Sequence, residues 1–264
     1  MTKYSIGFRM KFDDIKPEDI MKVVNDYLEK FDRYEIKVTN RLISSGKIDL
    51  LFNVSEKLAS GKYSIHLLKD VLFNIESFDK TIQLITKLQK YSCISEMGLV
   101  THLPYNGIIN YLEAVLNISR ILPQNYVFLL ENIPIYSGNY NYLKQIDYLF
   151  YCLSKESVKN IGFCLDLGHL LFGFYKEKVS EEQALLKLES MSYILSNVKQ
   201  IHIHDYNEKD HLQLKSGIMD LELISKFIKK NDLRVPIIIE ATIKKPSKDG
   251  ISQMKMMSKS LETN

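Results

Sequence analysis

The chain predicts a single (β/α)8 barrel of the TIM type, an α/β fold, with residues 1–264 forming one domain. Three observations carry this expectation. Eight short apolar runs alternate with longer stretches whose apolar residues recur at helical spacing, the pattern of parallel strands joined by helical crossovers. The third to the eighth of these runs each carry a metal-ligating residue type near the C-terminal end: His66, His102, Glu131, Asp166, His202 and Glu240. Side chains from six successive strands meet at one point only if the strands close into a ring. Finally, a length of 264 residues suits a fold that typically takes about 250.

From the N-terminus, the first strand is expected over residues 5–10. Pro17 then sits where a first-turn proline is tolerated, with acidic Glu18 and Asp19 behind it, so a helix should follow with Ile20, Val23, Val24, Tyr27 and Leu28 on its apolar face. Strands are expected at 34–39, 62–67, 98–103 and 126–132. Leu143, Ile146, Leu149, Phe150 and Leu153 then mark an amphipathic helix. The strand over 161–167 precedes Ser180, which with Glu181 and Glu182 forms a helix start. Strands at 198–205 and 235–241 complete the set. No Pro/Gly-rich linker, low-complexity tract or internal repeat divides the chain. An open doubly wound sheet uses the same alternation, but it would gather binding residues at a topological switch point rather than spread them over most strands. In a closed barrel the chemistry belongs at the C-terminal face.

Composition narrows the function classes. No apolar stretch reaches the roughly 18 residues that span a bilayer, and the start MTKYSIGFRMKFDD lacks a signal-peptide core, so a soluble, cytoplasmic protein without a membrane partner is expected. The 3 cysteines, Cys93, Cys152 and Cys164, are scattered and show no CxxC spacing, which argues against a disulfide framework or a thiolate zinc site. Any metal must then be held by histidine and carboxylate. A net charge of +3 permits phosphate contact but falls short of a dedicated nucleic-acid binder.

The 6 histidines all lie on or soon after an expected strand. Glu131, Asp166 and Glu240 each end an apolar run that should be buried on both sides, where an unpaired carboxylate costs several kcal/mol or takes up a proton. A divalent cation removes that cost. The competing explanation is ion pairing, for which Arg9 and Lys37 on the first two strands are the available bases; the same two residues are candidates for a phosphate clamp. Asp166 and His169, three apart, are placed to serve neighbouring positions. His202 and His204 alternate with isoleucines and so share a strand face. His202 is the better ligand, His204 a hydrogen-bonding neighbour or substrate contact, and Asp205 a group that orients an imidazole. Asp210 and His211 lie in a polar loop.

In these segments the chain resembles the endonuclease IV and xylose isomerase-like superfamily of metal-dependent TIM barrels, which includes AP endonuclease family 2. The similar segments are VTHLPY (100–105), LLEN (129–132), CLDLGHLLFG (164–173), IHIHD (201–205), DHLQL (210–214) and IIIEAT (237–242), spread over residues from about 60 to 242. The resemblance implies up to three zinc ions. His66, His102 and Glu131 would hold the first, and Glu131 would bridge to a second held also by Asp166, His202 and Glu240. His169 and His211 would belong to a third. Where the family has an aspartate two residues before the last histidine this chain has Lys209, with Asp210 adjacent. The loop LLKDVLFNI after His66 also lacks a counterpart of the tyrosine-bearing segment with which DNA-repair members probe the duplex.

The resemblance leaves two enzyme classes open. Isomerases and epimerases of the superfamily need one ion, commonly manganese, on Glu131, Asp166, His202 and Glu240. Hydrolases of phosphate esters use further histidines for further metals, and this chain retains His66, His102, His169 and His211. Zinc-dependent phosphodiester hydrolysis is therefore the favoured expectation, a metal-activated hydroxide attacking phosphorus with Glu131 or Glu240 orienting it. The expected substrate is a small phosphorylated molecule or abasic DNA, with no obligate protein partner. A cobamide-remodelling phosphoester hydrolase and a non-catalytic barrel are further alternatives.

Overall fold

The computed structural model describes residues 4–11, 15–16, 18–19, 22, 25, 33–46, 62–68, 70–72, 74–89, 97–156, 158–241 and 246–262. Pro17, the apolar positions Ile20, Val23, Val24, Tyr27 and Leu28, and Cys93 lie outside the described residues.

Eight parallel strands close in sequence order: β1 Ile6–Met10, β2 Arg33–Lys37, β3 Lys62–His66, β4 Met97–His102, β5 Tyr126–Glu131, β6 Ile161–Asp166, β7 Val198–Ile203 and β8 Ile237–Ile239. The ring is shut by β1 against β8, with Ile6 opposite Ile237 and Phe8 opposite Ile239, which excludes the open doubly wound sheet. All eight expected runs are strands, and the ends differ by one or two residues. The largest difference is at β8. Pro236 has no N–H to donate to the ladder, so the strand begins at Ile237, while the Pro236 carbonyl still accepts from Ile201 N at 2.8 Å.

Helices cover the barrel from outside: α1 Asn40–Ser44, α2 Ile75–Gln89, α3 Leu112–Ile121, α4 Asn139–Lys155, α5 Leu167–Lys176, α6 Glu181–Glu189, α7 Ser192–Asn197, α8 Leu221–Lys230 and α9 Pro246–Glu262. Their local signals are legible. Leu143, Ile146, Leu149, Phe150 and Leu153 are the buried stripe of α4. The Ser180 hydroxyl accepts from Gln183 N at 3.3 Å and caps α6, with Glu181 and Glu182 in the first turn.

Two apolar clusters result. The larger fills the layer between strands and helices. The smaller, Val100, Leu129 and Cys164 with Val127 against it, lies on the strand faces that point into the barrel. Above that small plug, towards the C-terminal ends of the strands, the interior turns polar. Among the described residues, no helix is long and apolar enough to cross a membrane.

Candidate metal centre

Strand register brings the ligand types together. His66 pairs with Val100, and His102 lies two residues beyond it; His102 pairs directly with Glu131. Glu131 pairs with Cys164, two residues before Asp166, and Asp166 pairs with His202. His202 pairs with Ile238, two before Glu240. Each step is zero or two residues and never one, so every one of these side chains keeps the interior face.

Among the described residues three groups of histidine and carboxylate atoms arise, each with its atoms within 4.8 Å of one another: Glu131, Asp166, His202 and Glu240; His66, His102 and Glu131; and His169, His204 and His211. Glu131 belongs to the first two. Its Oε2 lies 2.8 Å from His66 Nε2 and 3.0 Å from His102 Nε2, while its Oε1 lies 2.6 Å from His202 Nδ1. His202 Nδ1 is also 3.3 Å from Glu240 Oε2. A fourth grouping, Glu131 and His202 with Cys164, lacks a usable thiolate, because burial pushes the Cys164 thiol up to about 12.

Several contacts are unfavourable as they stand and fit a cation between them. His66 Nδ1 lies 3.0 Å from the Leu67 carbonyl and donates to it, so the neutral ring turns a bare Nε2 towards a carboxylate oxygen. In the same way His169 Nδ1 donates to the Asn132 carbonyl at 3.2 Å and His211 Nδ1 to the Glu240 carbonyl at 3.2 Å. Their two Nε2 atoms then face each other at 3.3 Å, lone pair against lone pair. His102 Nε2, Asp166 Oδ2, His204 Nε2 and Glu240 Oε2 are buried without a hydrogen-bond partner. Orphaned buried acceptors are rare and costly. Their concentration here suggests a metal site.

Electrostatics agree. Burial opposes ionisation of Glu131, yet His202, His102 and His66 outweigh it and hold the carboxyl well below the usual range. Asp166 is lowered likewise, burial being overcome by His169 and His204. Burial, with Arg9 adding to it, brings His66 down to about 4. Burial lowers His169 to about 3, and burial with His204 lowers His211 to about 4. Neutral imidazoles are the ligating form. His202 goes the other way: against burial, Cys164, Glu35 and Glu131 hold it well above its usual value. The Cys164 thiol is itself neutral, so we assign that shift to the two carboxylates.

Asp166 does two tasks. Its Oδ1 caps α5 by accepting from His169 N at 2.7 Å, which leaves Oδ2 for the cluster. Asn132 locks this corner with reciprocal bonds, Asn132 Nδ2 to the Asp166 carbonyl at 2.8 Å and Asp166 N to Asn132 Oδ1 at 2.9 Å.

Two expectations need correction. Arg9 is no rim clamp: it is 5% exposed and points among the carboxylates, with Nε 2.7 Å from Glu35 Oε1, Nη2 3.9 Å from Glu131 Oε1, and Nη1 against Glu240 Oε1. Asp205 orients no imidazole through its carboxylate among the described residues, and it is its backbone carbonyl that lies 3.3 Å from His204 Nδ1. Its carboxylate accepts from Tyr206 N, Met219 N and Gly217 N at 2.7–2.9 Å and so folds the loop after β7. His204, beyond the end of β7, joins His169 and His211, with its Nε2 3.4 Å from Asp166 Oδ1 and its Nδ1 accepting from His211 N at 2.9 Å. Asp210 Oδ2 lies 4.0 Å from His211 Nε2. Lys37, half-buried and in register with His66, does lie at the C-terminal rim.

Sequence reasoning missed Glu35 and Gln200, both buried under the centre, and gave Asn132 no role. The available signal was a charged or amide residue in mid-strand where both faces should be apolar.

Comparison of the sequence with curated proteins gives no match. Among solved structures, the chain is similar to the crystal structure titled AsfvAP:AG, with TM-score 0.72 and 16% identity over 99% of this chain and 100% of that one. It is similar to a D-tagatose 3-epimerase-like protein, with TM-score 0.68 and 18% identity over 98% and 97%. It is also similar to endonuclease IV from Thermus thermophilus, with TM-score 0.64 and 16% identity over 98% and 100%. At such identities the likeness shows the fold alone, and the neighbours divide between endonucleases and epimerases. Residues 64–260 match a family described as xylose isomerase-like TIM barrel, and with three-quarters of its length inside that match the chain belongs to this family.

Proposed function

We propose that this protein is a zinc-dependent hydrolase of phosphodiesters. The observation that carries the reading is Glu131, whose two carboxylate oxygens face two different ligand groups, Oε2 towards His66 and His102 and Oε1 towards His202. A single-ion sugar isomerase needs only Glu131, Asp166, His202 and Glu240. Here His66 and His102 complete a second group on the far oxygen of Glu131. Zinc suits the imidazole-rich donor set.

When bound, adjacent divalent ions polarise a phosphoryl oxygen and lower the pKa of water. The chain's own residues do the rest. Glu131 fixes the separation of the two groups, and Glu240, with an unpartnered Oε2 at the cluster, is placed to orient a nucleophilic water. Lys37 at the rim offers positive charge to a phosphate. Tyr105 and Tyr136, 47% and 62% exposed on the loops after β4 and β5, offer rings to a sugar or base. Abasic DNA, in keeping with the endonuclease IV likeness, and a small phosphodiester are the two substrate candidates.

Protein loaded with zinc after metal-free purification should carry two or three ions by elemental analysis and cleave bis-p-nitrophenyl phosphate; abasic-site DNA tests the first substrate. One exchangeable ion together with interconversion of ketoses would replace this reading by the isomerase, which the four-ligand group taken alone favours.

The third group is the least completely furnished. We assign it His169 and His211 with His204 as the nearest third donor, in place of the missing aspartate at Lys209. A Cβ on Gly168 would fall 2.5 Å from His204 ring atoms. Gly168→Ala should therefore displace that ring and reduce the zinc count by one while the two ions around Glu131 stay. An unchanged count would remove His204 from the site.

A further inference from the structure

The barrel interior below the candidate ligands holds a second polar layer that the proposed chemistry does not use. It is built from Arg9 of β1, Glu35 of β2, Ser64 of β3 and Gln200 of β7, none more than 5% exposed. Arg9 pairs in register with Glu35, and Glu35 with Ser64, so the three side chains share one inward face. Four groups converge on the Glu35 carboxylate: Arg9 Nε on Oε1 at 2.7 Å, and on Oε2 the Ser64 hydroxyl at 3.0 Å, Gln200 Nε2 at 2.8 Å and His202 Nε2 at 3.0 Å. Those contacts leave the carboxylate no rotational freedom.

We propose that Glu35 is the positioning residue of His202, accepting its Nε2–H so that a bare Nδ1 faces the ligand cluster. This rests on the reading that Glu131, Asp166, His202 and Glu240 hold a cation. Two contacts favour this tautomer. The first is the Glu35 acceptor at Nε2. The second is on the opposite side of the ring, where Arg9 Nη2 lies 3.1 Å from Nδ1. A guanidinium can only donate, so this contact favours Nδ1 as an acceptor with the proton on Nε2. Other contacts point the other way: Glu131 Oε1 at 2.6 Å and Glu240 Oε2 at 3.3 Å from Nδ1 can only accept, so without a cation they draw a proton onto Nδ1, the place a bound cation would take, and Gln200 Nε2 lies 2.7 Å from His202 Nε2. The Gln200 amide also reaches Glu35 Oε2 at 2.8 Å, and a bond to an ionised carboxylate is about twice as strong as one between neutral groups, so Glu35 is its stronger acceptor. A carboxylate behind a ligating histidine fixes its tautomer and raises its basicity, and losing such a partner costs about 10- to 100-fold in metal affinity.

The experiment uses the full chain. In zinc-loaded wild-type protein labelled with 15N at histidine, long-range proton–nitrogen correlation spectra should show His202 with Nε2 protonated and Nδ1 unprotonated and carrying the shift of a metal-bound nitrogen, assigned by comparison with His202→Gln. In chelator competition, Glu35→Gln should release zinc about 10- to 100-fold more readily than wild type, and Glu35→Asp should recover part of that loss. A purely structural role would lower the melting temperature of Glu35→Gln but leave zinc affinity and the His202 tautomer unchanged, which would overturn the proposal. So would a proton on Nδ1 in the wild type, a result available even if Glu35→Gln does not fold. Failure of the wild type to take up zinc would sink the metal reading and this proposal together. Zinc uptake that is indifferent to Glu35 would sink this one alone.

Discussion

Glu131→Ala is expected to strip the centre of zinc and to lower phosphodiesterase turnover by at least about a hundredfold, more than the loss of an outer-shell partner would cost. The reason is geometric. Glu131 is fully buried and is the one residue shared by the His66–His102 group and the Asp166–His202–Glu240 group, so its removal takes an anionic ligand from both at once. The His66–His102 pair is then left without a carboxylate, while Asp166 and Glu240 stay beside His202. Glu131→Gln keeps the shape and one acceptor but not the charge, and it should lie between wild type and Glu131→Ala in zinc affinity. Elemental analysis and turnover on bis-p-nitrophenyl phosphate, with circular dichroism to check the fold, decide the matter. A Glu131→Ala protein with full zinc content and near wild-type rate would remove Glu131 from the site.

Removing the metal should also destabilise the barrel. Glu35, Glu131, Asp166 and Glu240 are all within 5% of complete burial, and Arg9 is the buried guanidinium among them. Divalent ions balance that charge; without them the carboxylates repel one another in a low-dielectric interior. Leaving a buried charge uncompensated costs about 3–5 kcal/mol, although proton uptake by His202 offsets part of this. Ligand linkage gives a similar scale, about 2.7 kcal/mol at free zinc one hundred times its dissociation constant. At about 2–4 °C per kcal/mol for a chain of this size, chelation should lower the melting temperature by roughly 5–15 °C, and added zinc should restore it. Equal melting temperatures with and without chelator would mean that Arg9 and the histidines satisfy the carboxylates unaided, and the ion-pair explanation would stand.

How legible the site was depended on where each residue lay along its strand. His66, His102, Glu131, Asp166 and Glu240 end strands or directly follow one, and apolar runs that stop at a ligand-type residue are visible without coordinates. Glu35 lies in mid-strand between Tyr34 and Ile36, which on paper is an alternation of apolar and polar residues facing solvent. Only closure of the ring turns that polar face inward. Gln200 was hidden for the same reason, next to Lys199, which does face out. Arg9 was read as a rim residue because nothing in β1 shows that Glu240 lies beside it; the pairing of β1 with β8 joins opposite ends of the chain. His204 and His202 share a strand face, yet β7 ends at Ile203, and the chain leaves the sheet before His204 takes its place opposite His169 and His211.

Taken alone, the sequence determined the order of strands and helices, the closed barrel and the ligand types at its C-terminal rim, because apolar periodicity and burial cost are local properties of a chain. Tertiary structure decided which ligand shares a cluster with which, that Arg9 and Glu35 lie inside the barrel, and which nitrogen of His202 faces the cluster. Those depend on the register between strands far apart in sequence, and a shift of two residues in that register would redraw every one of them.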